Sequence, residues 1–175
     1  MCEPLPERIN AERLAQEHTR LAGVIPLEKM PRLAQCLAEP GGDASVEVDF
    51  APGPAGRSVV RGEAAAKVRL VCQRCMGNVD WPLEARFSLA LVHDDDEAAA
   101  LPAEYEPLLW PDESGSLAAL VEDELLLALP AVPRHIDPQE CGTVERMMRP
   151  ENDPDERRDN PFNVLSKLKR RDSSS

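Results

Sequence analysis

Hydrophobic side chains alternate with polar ones through the middle of the chain. Trp81, Leu83, Ala85, Phe87, Leu89 and Leu91 take odd positions, with Pro82, Glu84, Arg86 and Ser88 between. A period of two over that length predicts a half-buried antiparallel strand. Pro82 predicts that it starts at a sheet edge. In 66–72, Val68, Leu70 and Cys72 share one face while Lys67 and Arg69 take the other. Val46, Val48 and Phe50 mark a strand over 45–50, and 57–62 is a further candidate after the break at Pro52-Gly53-Pro54. A strand-like 18–24 precedes them.

Helical signals flank these strands. Asn10 caps a short helix over 10–17, and a second helix covers 27–37, stopping before Pro40-Gly41-Gly42. The strongest helix spans 117–128, with Ser116 as its cap and Glu122-Asp123-Glu124 inside it. Pro130 and Pro133 stop it. Between, 94–113 reads as a loop with a short strand near 107–110. The predicted fold class is α+β: an antiparallel sheet, open or barrel-like, with short N-terminal helices and one helix near 117–129 packed on it. One domain is expected over 1–150. Residues 151–175 read as a charged linker and a basic, partly disordered tail. There Asn160-Pro161 begins a short helix that sets Phe162, Leu165 and Leu168 on one side.

Composition and charge narrow the function classes. Proline, at 17 of 175 residues, is about twice as frequent as usual and implies short elements with stiff joints. The net charge of −12 is concentrated in 94–140, which holds one base, Arg134, against thirteen acids. The residues before it carry eleven bases against twelve acids, and those after it eight against seven. That balance excludes a general nucleic-acid binder, since phosphate binding needs cations; it favours basic protein partners. Local basic patches do exist, and with the Asn160-Pro161-Phe162 start of the tail they are the expected RNA or partner contacts. From the helix surface, the carboxylates of Glu122, Asp123 and Glu124 are expected to hold a basic partner. Residues 57–86, with Lys67, Arg69 and Arg74, hold six bases against three acids, and the tail sets Lys167, Lys169, Arg170 and Arg171 against Asp172. The first twenty residues lack an apolar core segment, and the longest apolar run, Leu125 to Leu129, is far short of the ~20 residues that cross a bilayer. Five cysteines without a secretory signal suit a reducing compartment. A cytoplasmic protein without a membrane partner is expected.

The chemistry centres on Cys72-Gln73-Arg74-Cys75, a C-x2-C at a hairpin corner followed by Met76-Gly77. His135 and Cys141 come later, with five residues between them, and complete a Cys3His set for structural zinc. The alternative is Cys72 as a core residue and Cys75 as a turn residue. A redox pair would sit at a helix N-terminus, whereas these flanks are strands. No orienting group supports a Cys-His nucleophile. Glu122 and Asp123, adjacent on a helix, point apart and make poor partners for a shared catalytic cation. No enzyme class is supported.

These segments resemble the YceD family of bacterial proteins. The likeness rests on Leu70-Val71-Cys72-Gln73-Arg74-Cys75, on Leu101-Pro102 with Tyr105-Glu106-Pro107, and on the run Leu120-Val121-Glu122-Asp123-Glu124 through Pro130 and Pro133. It ends on Asn160-Pro161-Phe162-Asn163-Val164-Leu165 with Leu168-Lys169. The family comprises large ribosomal RNA subunit accumulation proteins, linked to synthesis, processing or stability of 23S rRNA. The resemblance implies importance, without roles, for Cys72, Cys75, Glu122, Asp123, Glu124, Pro130, Pro133 and Asn160-Pro161-Phe162. Many relatives carry further cysteines after the Pro-x-x-Pro segment, where this chain has His135 and Cys141. The expected function is non-enzymatic support of large-subunit biogenesis, through 23S rRNA or its precursor, directly or by way of ribosomal proteins. The alternative is an acidic adaptor or chaperone for a basic client, without RNA contact.

Overall fold

A computed structural model describes residues 5–110 and 114–141. A short strand β1 (Arg8–Ile9) leads into helix α1 (Ala11–Gln16), whose cap Asn10 accepts the Arg13 N–H at 2.8 Å, as its side chain predicts. Strand β2 (Arg20–Pro26) follows, two residues beyond the predicted start. The single helix expected over 27–37 is divided: a 3-10 turn at Leu27–Lys29, then α2 (Pro31–Cys36). Pro31 explains the break, because it lacks an N–H and holds Met30 out of helical geometry.

Strands β3 (Asp43–Pro52), β4 (Ser58–Val71) and β5 (Asn78–Val92) form the meander. The two candidates at 57–62 and 66–72 are one continuous strand, since β4 pairs along its whole length with β5. Gly62 lies in its middle without breaking it. In register it stands between Val48 and Phe87. A Cβ there would come within 2.7 Å of the Phe87 ring, the Glu47 carbonyl and Val48, so only glycine leaves room for that ring.

The predicted loop after β5 contains a short helix, α3 (Asp95–Ala99), because Asp94 caps it by accepting the Glu97 N–H at 2.8 Å. Strand β6 (Glu106–Leu109) pairs parallel with Leu89–Val92 of β5. The sheet therefore runs β2-β3-β4-β5-β6 and stays open, antiparallel except at its last pair. Where Pro82 sits, β5 has β4 on one side and no strand on the other among the described residues, in keeping with an edge start. Strand β7 (Gly115–Ser116) pairs with β1, and Ser116 caps helix α4 (Leu117–Leu127) by accepting the Ala119 N–H.

Helices α1 and α4 pack on β3 to β5, and α2 packs on α4. The core lies between these layers and contains Phe50, Val60, Leu83, Phe87, Leu117, Val121 and Leu125. Positions of opposite parity, such as Glu47, Glu63, Glu84 and Arg86, line the solvent face of the sheet. No helix among the described residues is long and apolar enough to cross a membrane.

Candidate metal centre

The β4–β5 hairpin outruns the sheet. Strand β3 pairs with β4 only as far as Ala66, whereas β5 continues to Val71. The projecting arm ends in Cys72 to Gly77. There the Cys72 N–H donates to the Gly77 carbonyl at 2.8 Å, and the Met76 N–H to the Cys72 carbonyl at 2.9 Å. Met76, not Gly77, takes the left-handed conformation, with φ +58°. A non-glycine residue pays roughly 1–2 kcal/mol there, so the surrounding hydrogen bonds must hold the turn.

The chain returns to this arm after α4. Pro130 and Pro133 prevent the helix from continuing, and the Pro133 carbonyl accepts the Gln73 N–H at 2.8 Å. His135 Nε2 lies 3.0 Å from the Asn78 carbonyl oxygen. A carbonyl only accepts, so Nε2 carries a proton and Nδ1 faces the sulfurs. Cys72, and then Cys141, raise the ring's pKa, so a metal bound at Nδ1 would displace a proton. Asp137 then caps the 3-10 turn Pro138–Glu140, which delivers Cys141.

These elements bring all four expected ligands together. Cys72 Sγ lies 3.8 Å from Cys141 Sγ. The Nδ1 of His135 lies 3.4 Å from Cys141 Sγ and 3.6 Å from Cys75 Sγ. All four donor atoms fall within 4.8 Å of one another. A tetrahedral zinc with bonds of ~2.3 Å to sulfur and ~2.0 Å to nitrogen has donor–donor edges of about 3.5–3.8 Å, close to the three separations above. The cluster could hold a metal ion.

Local hydrogen bonds favour the thiolate at Cys72. Burial, the largest single influence on Cys72, pushes its thiol up. The backbone N–H groups of Arg74, Cys75 and His135, with the His135 ring, outweigh it and bring Cys72 down to about 5. Arg74 Nε donates to Cys141 Sγ at 2.9 Å, and Nη2 reaches the His135 carbonyl at 3.4 Å. Placed by sequence among RNA-contacting residues, Arg74 is occupied at the centre.

The other expected contacts lie apart from it. Arg69 pairs with Asp80 and Glu39 at 2.9 and 2.7 Å, while Lys67 is exposed and has no acidic partner among the described residues. Arg86 meets Glu63 at 3.5 Å, and Arg20 meets Glu47. Of the six bases counted from sequence, Arg69 and Arg86 are thus paired with acids and Arg74 is engaged by Cys141, while Arg57, Arg61 and Lys67 have no acidic partner among the described residues. Asn160, Pro161, Phe162, Lys167, Lys169, Arg170 and Arg171 lie outside the described residues.

The Glu122-Asp123-Glu124 run divides three ways. Glu122 is 3% exposed and points into the protein. Its Oε1 accepts the backbone N–H groups of Arg32 and Leu33 at 2.6 and 3.0 Å, and Oε2 accepts two guanidinium N–H groups of Arg32. It therefore caps α2, whose own preceding residue, Met30, offers no side-chain cap. Asp123 meets the other side of the Arg32 guanidinium at 2.7 Å. Glu124 is held above the usual carboxylate range, first by burial and then by Glu106 and Asp123. Sequence reading placed Glu122 on a surface. Its helical spacing with Ala118, Val121 and Leu125, all on the buried face, was the signal available.

With this geometry in view, the likeness to known proteins can be judged by what it covers. Residues 60–169 match the family described as large ribosomal RNA subunit accumulation protein YceD, a span that includes all but the first two residues of the β4–β5 hairpin, α4 and all four cluster residues. The chain is 33% identical over 170 residues to the protein of that description from Haemophilus influenzae, covering 95% of this chain and 97% of the relative. The chain belongs to the YceD family. YceD likeness runs through both the hairpin tip and the Glu122 cap, so the sequence resemblance and the two buried polar nodes coincide. No solved structure matches the chain.

Proposed function

We propose that this protein is a non-enzymatic cytoplasmic factor supporting the accumulation of 23S rRNA during large-subunit biogenesis, with Cys72, Cys75, His135 and Cys141 holding one structural zinc ion. The similarity to a large ribosomal RNA subunit accumulation protein over 95% of the chain carries the functional part. The donor spacing supports the zinc, whose four protein ligands leave no open position for a substrate or water. The ion would supply charge neutralisation and a crosslink, joining the hairpin arm to the segment after α4. Cells lacking the protein should show a lowered 23S to 16S rRNA ratio. Wild-type protein should restore it, and Cys72→Ser should not. An unchanged ratio on deletion contradicts the reading.

One observation favours a second reading, an adaptor for a basic client. Arg20, Arg69 and Arg86 of the sheet are paired with acids of the fold, whereas Asp95, Asp96, Glu104 and Glu106 have no cationic partner among the described residues. A surface of that sign attracts basic protein more readily than phosphate. A pull-down before and after ribonuclease separates the two: an adaptor keeps its client after digestion, and an RNA-bound factor loses its cargo.

A further inference from the structure

The four cluster residues are not equivalent. Cys72 and Cys141 are buried, while Cys75 and His135 are partly exposed. The sulfurs of Cys72 and Cys141 face each other at 3.8 Å, and Cys75 Sγ instead faces His135 Nδ1. The Arg74 guanidinium lies against Cys141 alone among the three sulfurs hydrogen-bonded here, at 2.9 Å. We propose that the centre is an oxidation-responsive staple, in which a peroxide joins Cys72 to Cys141, expels the metal and leaves the segment between α4 and Cys141 tied to the hairpin. The inference rests on the zinc reading above and adds its regulation.

The step balances with hydrogen peroxide as oxidant. The Cys141 thiolate attacks one peroxide oxygen, the O–O bond breaks, and hydroxide leaves beside the Arg74 cation. The Cys72 thiolate then attacks the sulfenic sulfur of Cys141, forming the S–S bond and expelling a second hydroxide. Both hydroxides take protons from solvent, and the two sulfurs together give up two electrons. With two of four ligands gone, Cys75 and His135 hold zinc too weakly to keep it from a chelator. The new bond spans 69 positions of sequence, from the hairpin corner to the last described residue, so the connection that the metal provided persists. A bridge between Cys72 and Cys75 would do the opposite and free Cys141.

The test uses full-length protein carrying Cys2→Ser and Cys36→Ser, which removes the two thiols outside the cluster. After reduction and removal of the reductant, zinc is measured, hydrogen peroxide is titrated in, and a chromogenic chelator reads released metal while non-reducing peptide mapping locates the bridge. The expected result is release of about one zinc per chain, a Cys72–Cys141 bridge, and reversal of both by dithiothreitol with added zinc. Arg74→Ala should slow release by roughly tenfold, since its guanidinium stabilises the departing hydroxide. Zinc bound at the start but retained in excess peroxide overturns the switch, as does a Cys72–Cys75 bridge. Absence of zinc before peroxide overturns the underlying metal reading instead.

Discussion

Glu122 and Cys72 are both buried, both belong to the segments that carry the family likeness, and both draw a distant part of the chain onto the sheet. They do so with different completeness. At Glu122 every participant is in the chain: one carboxylate, two amide N–H groups and one guanidinium, all within 3.0 Å. That node is finished once α4 meets α2. At the hairpin tip three sulfurs and an imidazole converge with only Arg74 to offset thiolate charge. Four donors suited to a single ion are packed there, and a divalent cation would complete the node. One node depends on folding alone; the other, on the proposed zinc reading, also depends on supply of an ion.

Stripping the metal should do most damage. Structural zinc in small domains contributes on the order of 10 kcal/mol of apparent binding energy. Chelation, or Cys141→Ser, should lower the melting temperature by about 10 °C or more. A melting curve indifferent to chelator would erase the contrast between the nodes. Glu122→Ala should follow, costing about 2–4 kcal/mol by leaving two amide N–H groups without their acceptor while Asp123 still holds the Arg32 guanidinium, as read by urea unfolding. Its metal content should stay at the wild-type level, and its cost should add to that of Cys141→Ser, if the nodes are independent. Strong non-additivity would show them to be one unit.

Gly62→Ala probes the sheet between them. The new methyl would press on Phe87, Val48 and the Glu47 carbonyl, for a loss of about 1–3 kcal/mol with metal binding intact. The smallest effect belongs to Glu124→Gln. Because the folded state raises the Glu124 pKa, stability associated with it is present below the ordinary value of 4.5 and lost as pH rises through the folded value. The amide should therefore stabilise by a few tenths of a kcal/mol at neutral pH, discounted for partial exposure, and the gain should vanish under acid. Equal stabilisation at pH 3 and 7 would exclude the carboxylate charge as its cause.

How far the chain announced this structure depends on range. Alternation in β3, β4 and β5 was plain because each strand buries one face. The caps Asn10 and Ser116 act three residues along and were equally visible. The parallel pairing of β6 was not, since four residues carry no mark of their partner's direction. The break at Met30–Pro31 was written in the proline, but the apolar pattern ran across it. In the metal centre, Cys72 and Cys75 declared themselves by spacing, while His135 joins Cys75 from 60 positions away. The Asn78 carbonyl that sets its tautomer, the Arg74 contact to Cys141 and the Glu122 cap arise only when separate elements meet, and no local pattern encodes such a meeting.

The central claim is that the hairpin tip is a closed metal centre. Its most direct test is elemental analysis of the full-length protein purified without chelator, beside Cys72→Ser. The account predicts about one zinc per chain in the wild type and loss of it in the variant. Less than roughly a tenth of an equivalent in folded wild-type protein would contradict it.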